Sequence, residues 1–209
     1  MLTEYSFRSG KACSYFIEGL IINDSNSEQI GENALGGENT LELIAGRHPN
    51  GELIVERLLV SPQSSPQEPS PQGQANSYQL LKSPVFVRGI ARADVIQPLE
   101  QSKGAFKVLQ HGGNLCIRLF SKLGFTEPKL EALEQSLTAA IEKLGGDLDV
   151  REERVLVYSI HVSCGFNEVE KLLNEKLAAF QDVNWYYGNV YDPDTGEPLN
   201  WWQAILAPS

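Results

Sequence analysis

Several things are scarce in this chain, and each scarcity removes a class of function. No apolar run approaches the roughly 20 residues that a membrane-crossing helix needs, and the start, Met-Leu-Thr-Glu-Tyr-Ser, lacks a basic patch followed by an apolar block. Neither a secretory signal nor a transit peptide is therefore visible, and a cytoplasmic location is the default expectation. Cysteine occurs only at Cys13, Cys116 and Cys164, an odd set without CxxC spacing. That argues against a disulfide framework and against a structural zinc site; each of the three sits in an apolar strand pattern and reads as a small buried hydrophobe. The phosphate-binding spacings GxxxxGK[ST] and GxGxxG are absent, so no nucleotide or other cofactor is implied.

Positive charge is also in short supply. The formal net charge is −10 over 209 residues. Residues 1–126 carry 12 acidic and 11 basic side chains, whereas residues 127–209 carry 15 acidic and 6 basic ones. The acidity thus belongs to the C-terminal part. Such a surface repels phosphate backbones and anionic lipid heads, which disfavours nucleic acid or membrane as the main ligand. It suits either plain solubility or docking to a basic partner.

What is present specifies an α+β scaffold: a β-rich antiparallel N-terminal part over residues 1–120, continuous with a βαβαββ unit over residues 121–209, in one domain or two. Its organising stretch is 155–164, Val-Leu-Val-Tyr-Ser-Ile-His-Val-Ser-Cys, which reads as a central strand rich in β-branched and aromatic residues. A helix capped by Thr126, with Glu127 and Pro128 in its first turn, precedes it and stops at Gly145-Gly146. Its apolar face is Leu130, Leu133, Leu137, Ala140, Ile141 and Leu144. A second helix is expected over 167–180, burying Val169, Leu172, Leu173, Leu177 and Phe180 and turning Glu168, Glu170, Lys171, Glu175 and Lys176 outward.

In the N-terminal part, strands are expected over 4–22 with breaks at Gly10 and Gly19, then a glycine-containing loop over 23–39. The clearest hairpin joins 41–45 to 53–60 through Pro49-Asn50-Gly51, which makes His48 a loop-tip residue. Residues 61–77 hold four prolines among Ser and Gln and read as a disordered loop. Pro66 and Pro69 stand in PxxP register, but no arginine flanks them. Strands are expected at 78–81 and 85–90, a short helix broken by Pro98 over 91–102, and a hairpin of 105–110 with 115–120 around His111-Gly112-Gly113-Asn114. His-Gly-Gly is similar to the oxyanion loop of some esterases, yet the GxSxG elbow is missing and a plain turn accounts for it.

Candidate sites are few. A last hairpin, 183–191 with 199–206, concentrates Trp185, Tyr186, Tyr187, Tyr191, Trp201 and Trp202, including every tryptophan of the chain. Neighbouring rings in a strand face opposite sides, so both faces carry large amphipathic rings and one of them needs cover. Trp185, Tyr187, Tyr191, Trp201 and Trp202 are the expected partner-binding residues. Asp192, Asp194 and Glu197 around Gly196 lack the ligand pattern of an EF-hand and fit a turn, so no metal site is expected. No catalytic set stands out. His161 with Ser159 and Ser163 on one strand face gives only the start of a nucleophile and base pair; His111, His161, Ser163 and Cys164 are the weak candidates. The sequence therefore points to a non-enzymatic accessory protein, an adaptor or assembly factor, that holds a protein partner on an acidic, aromatic face. The alternative is a small enzyme or ligand-binding protein with a pocket between the two parts.

Overall fold

The structure, a computed structural model, describes residues 39–63, 77–100, 102–192 and 194–207. The strands expected over 4–22, the loop over 23–38, Cys13 and most of the Pro/Ser/Gln segment lie outside the described residues. Within them the molecule is α+β, with two antiparallel sheets and three helices.

The first sheet is a meander of β1 (Asn39–Arg47), β2 (Leu53–Gln63), β3 (Ser77–Leu80), β4 (Val95–Pro98) and β5 (Phe106–Gln110), in that spatial order. The β1–β2 hairpin turns at Asn50-Gly51 as its residues require, with His48 exposed at the tip. Alternate residues Leu43, Leu58, Val60, Leu80 and Ile96 face inward and meet Val87 and Ile90. The Ile44 amide reaches the Gly104 carbonyl at 2.8 Å, so the sheet curls until its first strand meets the β4–β5 connection.

The second sheet is built from β6 (Asn114–Ser121), α1 (Pro128–Lys143), β7 (Asp147–Arg151), β8 (Val155–His161), α2 (Phe166–Leu177) and β9 (Val183–Tyr187), with strand order β7-β8-β6-β9. This βαββαβ course is the ferredoxin-like split βαβ. Both helices cover one face, and Ile117, Leu119, Tyr158 and Ile160 pack against Leu133, Leu137, Ile141, Val169 and Leu173. Each such Leu or Ile side chain contributes about 1.5–3 kcal/mol of burial. A five-residue helix, α3 (Trp202–Leu206), closes the chain.

Several expected elements differ. Residues 85–90 are irregular rather than a strand, because their amides and carbonyls are taken by side chains instead of a ladder. Residues 95–98 are a strand and not a helix; Pro98 sits at the strand end, where a missing donor costs little. β5 and β6 are not a hairpin, since β5 pairs with β4 and β6 with β8 and β9. β7 was concealed by its two aspartates, residues depleted in strands. Glu127, not Thr126, is the α1 N-cap residue, with Pro128 at the first helical position. The central strand ends at His161, where residues 162–164 form a 3-10 turn, and α2 stops at Leu177. Residues 199–206 form a turn and α3 instead of a strand: only a Tyr191–Pro198 bridge remains of the expected hairpin.

The face of the second sheet away from the helices meets the irregular segment after β3. Val85, Ala91, Cys116, Phe120, Val155 and Val157 form this layer. Two charged side chains hold the segment from opposite sides. The Glu56 carboxylate on β2 accepts the amides of Val85, Phe86 and Val87 at 2.6, 2.9 and 2.8 Å. Arg118 on β6 is fully buried and donates to the carbonyls of Pro84 at 3.1 Å, Phe86 at 3.3 Å and Val87. Gly188 lies where a Cβ would come within 2.7 Å of the guanidinium carbon, so no larger residue fits beside it.

Removing the guanidinium strands three carbonyls and leaves Glu56 without its counterion. Arg118→Met is expected to lower unfolding free energy by about 3–5 kcal/mol in urea denaturation. Arg57→Met, which breaks only the exposed pair with Glu42, should cost under about 1 kcal/mol. Equal losses would contradict the role given to Arg118.

Candidate functional site

The strand period places Trp185 and Tyr187 on the helix side of β9 and Tyr186 on the other, where it stacks on Phe120 with centroids 5.7 Å apart. The Arg118 guanidinium lies 5.8 Å from the Tyr186 ring centre. On the helix side the rings form a continuous ladder. His111 stacks on Trp201 at 5.0 Å, and Trp201 meets Trp202 edge-on at 5.7 Å. Trp202 meets Phe166 at 5.2 Å, Phe166 meets Tyr187 at 5.5 Å, and Tyr187 meets Trp185 at 5.3 Å. These separations lie in the range where perpendicular and offset rings attract.

The expected partner-binding rings are thus brought together, by a residue the sequence reading did not name as a site residue. Phe166, at the first turn of α2, links the β9 pair to the α3 pair. Trp201 and Tyr187 are buried; Trp185, Tyr191 and Trp202 are half-buried. Trp201 is fastened by its indole N–H, which donates to the Asn189 carbonyl at 2.6 Å. Asn189 in turn accepts the Cys116 amide at 2.9 Å and donates to the Asn114 carbonyl at 2.8 Å. The short helix is therefore tied to the central strands, with its aromatic edge outward.

Glu170 is the second residue that the sequence reading placed elsewhere. It was expected to face solvent, but it is half-buried. The spacing explains why: Phe166, Glu170, Leu173 and Leu177 recur at four, three and four residues and share one helix face. Burial holds the Glu170 carboxyl above its ordinary value of 4.5. The phenols of Tyr187 and Tyr191 are pushed up as well, first by burial and then by the charge of Glu170. Among the described residues, the buried Tyr187 hydroxyl has no hydrogen-bond partner.

The weak catalytic candidates fall at the far end of the ladder. Asp94 is buried and accepts the Ala91 amide at 2.9 Å, the Gly112 amide at 2.7 Å and a bond to His111 Nδ1 at 3.1 Å. His161 is exposed and its Nδ1 lies 2.7 Å from Ser163 Oγ; the Ser163 amide also donates to it at 3.3 Å, capping the 3-10 turn. Ser159 is not part of that pair: it is buried, bonded to Asp149 and 2.7 Å from Ser83 Oγ. Cys164 is half-buried and its thiol is pushed up by burial and then by Glu168, the reverse of what a nucleophile needs. Asp192 receives the Asp194 and Thr195 amides at 3.0 and 2.8 Å, which is turn chemistry and holds its carboxyl below the usual range. Among the described residues no three His, Cys, Asp or Glu side chains converge as metal ligands, and no helix is long and apolar enough to cross a membrane.

Comparison with known proteins adds a family and a fold. The family model described as "Domain of unknown function (DUF4265)" matches residues 71–182. None of the curated proteins matches. A solved structure described as "Novel crystal structure of a hypothetical protein from Neisseria gonorrhoeae" is similar at a TM-score of 0.52 and 15% identity, over 74% of this chain and 96% of that one. At this identity the likeness concerns the fold alone.

Two outcomes follow from the geometry. Gly113 has φ +86°, and a Cβ there would fall on the His161 imidazole. Gly113→Ala is expected to cost about 2 kcal/mol or more in chemical denaturation, and His161→Ala should recover about 0.5–1 kcal/mol of it; strict additivity would show that the ring does not abut the turn. Glu170→Gln should stabilise the folded protein at neutral pH, because a raised folded value means that ionisation works against folding. That gain should shrink as pH falls through the raised value and level off below 4.5, and a gain that is constant with pH would contradict it.

Proposed function

The chain belongs to the DUF4265 family, and on that premise we propose that it is a non-enzymatic cytoplasmic accessory protein, an adaptor or assembly factor, that docks a basic protein partner. The observation that carries this reading is the six-ring ladder. Trp185, Phe166 and Trp202 are half-buried along one edge, and rings of this kind supply contact area with few rotatable bonds to immobilise. Acidic side chains surround them: Glu168, Glu170 and Glu175 on α2, with Asp182, Asp192, Asp194 and Glu197 on the loops flanking β9. A segment rich in lysine or arginine complements that potential, whereas nucleic acid or an anionic membrane does not.

A second reading, a small enzyme or ligand-binding protein, has one observation in its favour. The buried Asp94 fixes one nitrogen of His111, as an orienting carboxylate does in an acid–base pair. Against it stands the Trp201 indole stacked on the His111 ring.

Affinity capture from the cells that make the protein separates the two. With docking on the aromatic face, Trp202→Ala combined with Glu168→Lys lowers recovery of the co-purifying partner by at least about tenfold while circular dichroism stays unchanged, and His111→Ala leaves recovery intact. Recovery undiminished in the first variant would remove the docking reading.

A further inference from the structure

One part of the ladder is chemically unbalanced, and the imbalance identifies the group it suits. Tyr187 is 8% exposed, and its hydroxyl has no hydrogen-bond partner among the described residues. Phe166 and Trp185 stand edge-on against its ring from α2 and β9. Glu170 lies one helical turn beyond Phe166 on the same face, so a carboxylate shares the apolar stripe that covers this phenol. Its charge is felt at both Tyr187 and Tyr191. A buried phenol without a partner and a partly buried carboxylate both gain from a group that carries several N–H donors and no acceptor. Aromatic walls attract the same group, because the ring faces are negative. An anion would be repelled by Glu170, and a neutral apolar group would leave both oxygens unsatisfied.

We propose that Glu170 and the Tyr187 hydroxyl, walled by Phe166 and Trp185, receive one cationic side chain of the docked protein, a lysine ammonium or an arginine guanidinium. This deepens the docking reading and rests on it for the source of the cation. The site has a defined chemistry of its own: the carboxylate accepts a charge-assisted hydrogen bond, the phenol oxygen accepts a second, and the rings hold the alkyl stem. A lysine and an arginine differ in how many bonds they complete, since the planar guanidinium can engage both oxygens at once.

The test uses the full chain and small probes. N-acetyl-lysine amide, N-acetyl-arginine amide and the uncharged N-acetyl-norleucine amide are titrated separately while tryptophan emission is followed, because all three tryptophans belong to the ladder. The expected result is a saturable change with one or both cations and none with norleucine. It should weaken at least about tenfold in Glu170→Gln and in Tyr187→Phe. Which cation binds more tightly identifies the partner side chain. Independently of any probe, Tyr187→Phe should raise the urea midpoint, since it removes a buried hydroxyl that bonds to nothing. A lowered midpoint would show that the hydroxyl has an internal partner and would overturn the site. Equal responses to all three probes, no saturable response, or a response unchanged in Glu170→Gln would overturn it as well. Partner capture that survives while the probes fail removes the cation site alone. Probe binding that survives while capture is insensitive to Trp202→Ala with Glu168→Lys removes the docking reading alone.

Discussion

The structure depends on how an irregular segment without a strand of its own is held between two sheets. Residues 84–87 cannot satisfy their backbone in a ladder, and their neighbours are buried, so each polar group needs a specific partner. Glu56 takes three amides from one side and Arg118 takes three carbonyls from the other. The two side chains carry opposite charge and come from different sheets. The segment between them therefore acts as a neutral bridge across which an acid and a base attract. Few other arrangements allow a fully buried arginine without a carboxylate against its guanidinium, because the desolvation cost has to be offset by several good acceptors.

The placement of the aromatic face follows from that arrangement. With the inner layer of the second sheet sealed by residues 83–91, the opposite layer is left to the helices. β9 is the outermost strand beside β6, so α2 covers it only partly and its rings look for cover elsewhere. Phe166 and α3 supply some of it. The ladder that results is closed along its inner edge by Trp201 and Tyr187 and open along its outer edge at Trp185 and Trp202. A second polar network, in which Asp149 receives the Ser83 amide at 2.8 Å and a bond from Ser159 while Arg92 joins it to Asp147, fixes β7 against the same segment. Burial raises the Asp149 carboxyl despite those bonds, so this network orders the contact more than it stabilises it.

Where local pattern decides conformation, the sequence was a good guide. α1 and α2 carry apolar residues at three and four spacing, 155–161 is crowded with β-branched residues, and Asn50-Gly51 marks its turn. Errors arose where a distant group overrides the local preference. Nothing near 85–90 says that its amides belong to a glutamate about 30 positions earlier. Only Arg118 itself gave a sign, as a charge inside the apolar run Leu-Cys-Ile-Arg-Leu-Phe. The pair Trp201-Trp202 fits strand or helix equally; its conformation is set by the indole bond to Asn189, which no neighbour encodes. The candidate site was half legible: the rings were named from composition, whereas Phe166 as their link and Glu170 as a carboxylate within the stripe could have been found from the four-residue spacing between them.

The account stands or falls on whether residues 84–87 belong to the folded core or behave as a surface loop. Native-state hydrogen exchange of the Val85, Phe86 and Val87 amides answers this directly. If Glu56 and Arg118 hold the segment as described, these three amides open only with the global unfolding that releases β6 and β8. If they exchange orders of magnitude faster than the strands on either side, the bridge between the two sheets does not exist in solution, and the placement of the aromatic face loses its foundation.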